Sequence, residues 1–474
     1  MKIQFCGATR TVTGSAYFVD TGSVKFLVDC GAFQGDKDAD FKNRDTFPFD
    51  PASLDYVFLT HAHFDHCGRL PILLKQGFRG RIISTQPTRD LTSLVLLDSA
   101  RLQQEDFERW EVRANRSPSQ DLSVGSDEYI EIQPLYTEAE VEDTMTRFEV
   151  YPYGSSVKLK EGLEFRMRDA GHILGSAMME FWVKTGAGRE RKIVFSGDLG
   201  QPGARIVKDP DMIREADYVV CESTYGNRLH KSKDETILEF LSILKQSQES
   251  GGNILIPSFA IERTQEILYE MNLFVENNLI EGIEVFLDSP MASKATDIFK
   301  MYPNFYDEDT RRLLEKGDAP FEFKGLSVTE SAEESKRLID KHGVVIIAGS
   351  GMCTGGRIVH HLKNNLSNPK TSVVIVGYQV EGTLGRRLVE GDSTVSIFGE
   401  KIEVNAQIYT LGGFSAHADQ RDLRYWLRSF GHSPKKVFIT HGDKEISIGF
   451  ASNIQTELHL DVSVPELNEE FELE

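Results

Sequence analysis

The sequence predicts an α/β protein in which one domain is interrupted by another. Three observations carry this. Short apolar runs of strand length end repeatedly on turns rich in histidine, aspartate and glycine. Between residues 227 and 408, apolar strands alternate with helical patterns, as in a parallel sheet covered on both faces. After residue 408 the histidine-bearing turns return. The expected domains are therefore residues 1–226, an insertion over 227–408, and a returning part over 409–474.

The densest turn is Leu59-Thr60-His61-Ala62-His63-Phe64-Asp65-His66, which follows the apolar run from Asp55 to Leu59. Three imidazoles and one carboxylate fall within six residues. These are ligand types that zinc accepts. His61 and His63, two apart, point the same way if that piece is extended. Asp65 and His66 lie past the bend and can serve a second metal. A lone His-x-His is often only a polar loop, but the full run after an apolar strand is a complete ligand spacing.

The elements follow in order. Ile3-Gln4-Phe5, Ser15 to Val19 and Val24 to Val28 alternate as strands, punctuated by Gly7, Gly14 and Gly22. Asp29 stands at the end of the third, where it either reaches into a site or caps its own turn. Arg69 to Leu74 reads as a helix ending near Gly77. From Thr88 the residues Leu91, Leu94, Val95 and Leu102 keep one helical face. Residues 111–130 are polar and read as an exposed insertion. Thr137 with Glu140 has capping-box spacing and opens a helix to Phe148. Three further strands end on Asp169-Ala-Gly-His172, on Ser196-Gly-Asp198 and on Glu222-Ser-Thr-Tyr-Gly226. Each offers a ligand-type side chain at a strand end, where α/β sites form.

In the insertion, strands are expected at Ile254 to Ile256, Val285 to Leu287, Val344 to Ala348 and Val373 to Val376. Helices are expected around Ile237 to Leu244 and at 261–277, 293–301 and 330–341. The run Gly349-Ser350-Gly351-Met352-Cys353-Thr354-Gly355-Gly356-Arg357 stands between a strand and a helix. Glycines let backbone N–H groups approach an anion there; a plain tight turn is the alternative. The last stretch brings Phe414-Ser415-Ala416-His417-Ala418-Asp419 and Thr440-His441-Gly442-Asp443.

Bulk properties narrow the class. The chain has 474 residues, 40% of them apolar, and no run nears the ~18 needed to cross a membrane. No signal peptide is visible at Met1 to Phe5. Cys6, Cys30, Cys67, Cys221 and Cys353 are odd in number and far apart, the usage of a reduced compartment. The expected location is the cytoplasm. A net charge of −20 argues against coating nucleic acid by bulk electrostatics, though not against a nuclease with a local groove. Five glutamates between Pro465 and Glu474 read as a solvated tail or edge.

With these motifs in hand, the chain resembles the β-CASP branch of metallo-β-lactamase-fold nucleases over nearly its whole length. Its look is nearest to the prokaryotic relatives of the cleavage and polyadenylation endonuclease. The resemblance implies a metallo-β-lactamase αββα sandwich with an inserted β-CASP domain. It implies two Zn2+ ions: His61, His63 and His172 on one, Asp65, His66 and His441 on the other, and Asp198 bridging. Asp29 would orient a ligand from behind. Asp65, Asp198, Glu222 and His417 form the implied catalytic set. His417, polarised by Glu222, is the general-acid candidate. Ser350, Gly351, Met352, Arg357 and Ser415 would hold flanking phosphates. In this family a histidine at the position of His441 goes with RNA substrates. The implied activity is RNA phosphodiester hydrolysis, internal or from the 5′ end, leaving 5′-phosphate and 3′-hydroxyl ends. A hydrolase of small thioesters or lactones and a non-catalytic RNA-binding platform are the alternatives. RNA is the expected partner, no membrane is, and a homodimer is left open.

Overall fold

A computed structural model describes residues 1–35, 38–116, 133–160, 162–184, 188–430 and 434–474. From residue 117 onward, the expected insertion at 111–130 lies outside the described residues. The chain divides into two compact units. Met1–Gly200, Pro210–Arg228 and His417–Glu474 form the first; Gln201–Asp209 and Leu229–Ala416 form the second. The sequence puts the changes of character at 226/227 and 408/409. The second unit reaches further because the strand Gln407–Thr410 pairs with its sheet, and because Gln201–Asp209 docks on it. In that docking Ile206 O accepts from Asp307 N–H at 2.7 Å, and Arg205 pairs with Glu270 at 2.9 Å.

The first unit is an αββα sandwich of two seven-stranded sheets. One runs Glu470–Glu472, Lys2–Phe5, Tyr17–Asp20, Lys25–Val28, Tyr56–Phe58, Arg81–Ser84 and Phe148–Val150. Its first three pairings are antiparallel and its last three parallel. The acidic C-terminal stretch is thus an edge strand. The other sheet runs Val462–Ser463, Lys436–Thr440, Tyr218–Glu222, Glu190–Phe195, Ala177–Lys184, Leu163–Asp169 and Ser156–Lys158. There the first three pairings are parallel and the rest antiparallel.

Alternate residues of both sheets fill the space between them. Phe5, Phe26, Phe58, Phe165, Phe181, Phe195 and Phe438 share this core, and the Phe58 ring lies 4.7 Å from Phe181 and 5.1 Å from Phe165. Truncating one such ring to alanine costs about 3–5 kcal/mol. The helices Gln420–Arg428 and Lys444–Leu458 cover the outer face of the second sheet through Trp426, Leu427, Phe450 and Ile454. Leu70–Lys75, Gln86–Arg116 and Glu138–Met145 are the crossovers between parallel strands of the first sheet. The capping box is present: Thr137 Oγ1 accepts from Glu140 N–H, and the Glu140 carboxylate accepts from Thr137 N–H at 2.7 Å.

The second unit is built on a six-stranded, wholly parallel sheet. Its order is Leu326–Val328, Val285–Leu287, Val345–Ala348, Ile254–Pro257, Ser372–Ile375 and Gln407–Thr410. Val345 and Ile347 join the core on one face, Ile346 and Ala348 the core on the other. Burial on both faces explains why these strands read as unbroken apolar runs. Ile254–Pro257 and Val345–Ala348 are neighbours whose following crossovers leave in opposite directions, a topological switch point of the kind where α/β ligands sit. The helix expected at 330–341 is split into Ala332–Arg337 and a 3-10 turn, Leu338–Asp340.

Among the described residues no helix is long and apolar enough to cross a membrane. All five cysteines are buried and unpaired with one another.

Candidate metal centre

In the first unit, each histidine or carboxylate motif lies at or just past the last residue of a strand. Asp29 follows Lys25–Val28, His61 to His66 follow Tyr56–Phe58, and His172 follows Leu163–Asp169. Asp198 follows Glu190–Phe195, Glu222 closes Tyr218–Glu222, and His441 follows Lys436–Thr440. Both sheets thus deliver polar side chains to one edge. Close backbone contact makes room: a Cβ on Gly31 would sit 1.6 Å from the Asp65 carbonyl oxygen. A Cβ on Gly200 would sit 1.7 Å from that of Gly171. Neither position admits a larger residue.

The donors converge in two groups. His61 Nε2 is 3.1 Å from His63 Nδ1, which is 3.1 Å from His172 Nε2. Asp198 Oδ2 closes this group at 3.5 Å from His61 Nε2 and 3.6 Å from His172 Nε2. In the second group His66 Nε2 is 3.3 Å from His441 Nε2, which is 3.4 Å from Asp65 Oδ2. Asp198 Oδ2 lies 3.4 Å from His66 Nε2, so one oxygen borders both groups. Zinc with four ligands at about 2.0–2.1 Å in a tetrahedron holds those ligands about 3.3 Å apart. The spacings therefore fit a metal. Facing imidazole nitrogens with no carbonyl between them are otherwise hard to satisfy.

The rings suit ligation electrostatically. Burial pushes His63 down to about 4 and His61 well below the ordinary histidine value. Both are neutral near pH 7, the form that binds metal. Asp29, fully buried at φ 60°, lies behind His66: Oδ2 is 2.7 Å from His66 Nδ1 and accepts from Thr60 Oγ1 at 2.9 Å. Oδ1 accepts from Thr60 N–H at 2.8 Å. This turns His66 Nε2 toward its group. His441, at φ 47°, is held by its N–H on Ala8 O at 2.7 Å and by Thr224 Oγ1, 3.1 Å from Nδ1.

Beside the donors stands His417. Its ring centroid is 4.5 Å from that of His172, and Nδ1 is 3.2 Å from Glu222 Oε1. Glu222 is itself fixed by Leu199 N–H at 2.7 Å and Thr224 N–H at 3.2 Å. Burial disfavours a charged His417, but Glu222, with Asp198 and Asp65 beyond, outweighs it and holds the imidazole above the ordinary value. The backbone of His417 bridges to Gly200, and Ala418 N–H donates to Leu199 O at 2.7 Å, so the Asp198 and His417 loops are tied together.

The structure thus brings together His61, His63, Asp65, His66, His172, Asp198, His441, Asp29, Glu222 and His417. Ser350, Gly351, Met352, Arg357 and Ser415 all belong to the second unit. There Ser350 Oγ accepts from Thr354 N–H at 3.0 Å and closes the loop on itself. Arg357 donates to Asp288 Oδ1 at 2.7 Å, to Thr329 O at 3.2 Å and to Glu330 O at 2.9 Å. Its guanidinium anchors the loop's base rather than standing open to solvent. Thr60 and Thr224 went unmarked in the sequence as orienting groups; their only signal was a hydroxyl residue flanking a ligand motif.

Fold and donor set define a metallo-hydrolase with an inserted parallel-sheet unit. Comparison with known proteins agrees. Residues 9–117 match the metallo-beta-lactamase superfamily, 264–388 the Beta-Casp domain, and 401–465 the Zn-dependent metallo-hydrolase RNA specificity domain. Ribonuclease TTHA0252 of Thermus thermophilus is 38% identical over 446 residues, covering 94% of each chain. Transcription termination factor FttA of Methanocaldococcus jannaschii is 30% identical over 96% of this chain and 69% of its own length. A solved Enterococcus faecalis protein of unknown function shares the fold, with a TM-score of 0.55 at 12% identity over 99% of each chain. The chain belongs to the β-CASP family of metallo-β-lactamase-fold ribonucleases.

Proposed function

We propose that the protein is a cytoplasmic zinc-dependent ribonuclease that hydrolyses RNA phosphodiester bonds internally, in RNA processing or decay. The observation that carries this reading is the pair of donor groups sharing Asp198 Oδ2, with the His417–Glu222 pair alongside. In it, His61, His63, His172 and Asp198 hold one zinc, and Asp65, His66, His441 and Asp198 hold a second. Zinc, when bound, supplies Lewis acidity that ionises water near neutral pH and offsets phosphoryl charge.

The chain's own residues do the rest. Glu222 accepts from His417 Nδ1–H and favours the imidazolium, whose Nε2–H is the transferable proton. His417 gives that proton to the ribose 3′-oxygen as the P–O bond breaks, leaving a 3′-hydroxyl and a 5′-phosphate. Asp29 and Thr224 hold His66 and His441 in place. Contacts of Ser350, Gly351, Met352 and Ser415 with flanking phosphates, and a homodimer, belong to the same proposal.

The test is cleavage of 5′-labelled and 3′-labelled RNA with and without chelator. Internal fragments from both labels that vanish with chelator are expected. Release of mononucleotides from the 5′ end alone would replace the internal mode by an exonucleolytic one. Hydrolysis of small thioesters with intact RNA would overturn the substrate assignment.

A further inference from the structure

On the surface of the second unit an aromatic ring stands where its own backbone resists it. Thr394–Ile397 and Glu400–Glu403 form an antiparallel hairpin with Ile397 opposite Glu400. The loop is therefore the two residues Phe398 and Gly399. Both have positive φ, 51° and 80°. That is the pattern of a type I′ turn, which asparagine, aspartate and glycine fill readily. Glycine at the second position fits. Phenylalanine at the first does not, because a left-handed backbone crowds its Cβ. Nor does burial offset the strain: Phe398 is 59% exposed.

The ring is also braced. The His360 ring lies 4.7 Å from it, tilted by 36°. Lys363 Nζ is 5.9 Å from the ring centroid and is held by Glu400 at 2.6 Å. Both residues come from the helix Arg357–Asn365. Partial burial, with His361, Lys363 and Lys336 nearby, lowers the His360 pKa, so its imidazole is neutral near pH 7. A single exposed apolar residue is ordinary on a protein surface. One set at a hairpin tip against its turn preference, and backed by a second ring, is a platform for a third.

The class of that third ring follows from what the family acts on. Unpaired RNA bases are flat, and each has a face that stacks on an aromatic side chain. Stacking needs no basic field, which suits a chain of net charge −20. The place suits a strand as well. His360 lies about one helical turn beyond Arg357, the last residue of the glycine-rich run. One helix therefore carries the loop at its start and the ring that backs Phe398 one turn on.

We propose that Phe398 is a stacking site for an unpaired base of the RNA substrate. This rests on the ribonuclease reading. The role is one of binding: Phe398 supplies affinity and takes no part in breaking the bond.

The experiment uses the zinc-loaded full chain and an RNA oligonucleotide with one mapped cut. A set of further RNAs each lacks one base, with ribose and phosphate kept. For wild type, loss of the base at one position is expected to raise KM about tenfold, the worth of one base on an aromatic ring, with kcat little changed. Phe398→Asn should raise KM on the intact RNA by the same factor and be indifferent to the missing base at that position. Phe398→Tyr should keep the wild-type KM. Asparagine suits the turn, so the unfolding midpoint of Phe398→Asn should equal or exceed that of wild type, which separates lost binding from lost folding. A penalty for Phe398→Asn that is equal on every RNA, or a fall in kcat with KM unmoved, overturns the proposal. A wild-type dimer that Phe398→Asn dissociates, with no base-specific penalty, would give the ring to a second copy of the chain instead. If wild type cuts RNA and Phe398→Asn matches it on every RNA, this inference alone fails. If wild type cuts no RNA, the ribonuclease reading fails and takes this one with it.

Discussion

Two buried polar clusters sit at strand ends in this protein, one in each unit, and they solve opposite problems. In the second unit Asp288 is fully buried just past Val285–Leu287. Its carboxylate takes bonds from Arg357 at 2.7 Å, Ser335 at 2.6 Å and the Thr329 hydroxyl, and lies 2.6 Å from His361 Nε2. Every lone pair has a donor within the unit. The first unit gathers His61, His63, His66, His172 and His441 so that ring nitrogens face one another and two carboxylates. That cluster has acceptors to spare, and its donor set suits a metal cation. A satisfied cluster stabilises a fold; an unsatisfied one is where chemistry is performed.

The contrast can be broken from either side. Asp198→Ala removes the oxygen common to both donor groups, and is expected to lose bound zinc and abolish RNA cleavage. Metal analysis beside a cleavage assay checks this, and full zinc occupancy would refute the shared role. His417→Ala should lower cleavage by about 10²–10⁴-fold, the usual worth of a general acid, while both zinc ions stay bound. A normal rate would remove His417 from the mechanism.

On the other side, Asp288→Ala leaves Arg357 and His361 without their carboxylate. It should destabilise the second unit by about 3–5 kcal/mol in denaturant titration, with zinc content unchanged. Thr224→Val removes the hydroxyl 3.1 Å from His441 Nδ1 and should weaken metal affinity about 10–100-fold, read by competition with a chelating dye.

The smallest effect is a pH dependence. Burial alone would raise the Asp288 pKa, but His361, Ser335, Thr329 and Arg357 outweigh it and hold the carboxyl at about 2. The unfolded value is about 3.9, so the folded state binds its proton less readily. The resulting stabilisation, about 2 kcal/mol, is present above about pH 4 and is lost as pH falls through about 2. Unfolding midpoints of wild type and Asp288→Asn should differ above pH 4 and converge toward pH 2. A constant difference across that range would contradict the assignment.

Much of this was legible in the sequence because apolar runs of strand length are cut off by ligand-type residues, and those cuts are local. The Thr137 capping box and the inserted alternation of strand and helix are local too. What stayed hidden depends on partners far along the chain. Gln407–Thr410 looks like any half-apolar strand, and only its pairing with Ser372–Ile375 assigns it to the second unit. Gln201–Asp209 carries no pattern that announces where it docks. Arg357 follows a glycine loop and so suggests an anion, yet Asp288, far back in sequence, has already claimed it. Thr60 and Thr224 are hydroxyl residues without ligand character, and their orienting bonds appear only in three dimensions.

The strand Lys436–Thr440, which delivers His441, is inserted into its sheet beside Tyr218–Glu222, formed over two hundred residues earlier. The donor groups therefore stay one member short until residue 441 has been synthesised. At about 5–20 residues per second, ribosomes spend on the order of ten seconds or longer between Asp198 and His441. Throughout that interval the nascent chain is surrounded by the messenger and ribosomal RNA on which its own synthesis depends, and under the proposed mechanism it lacks the means to cut them.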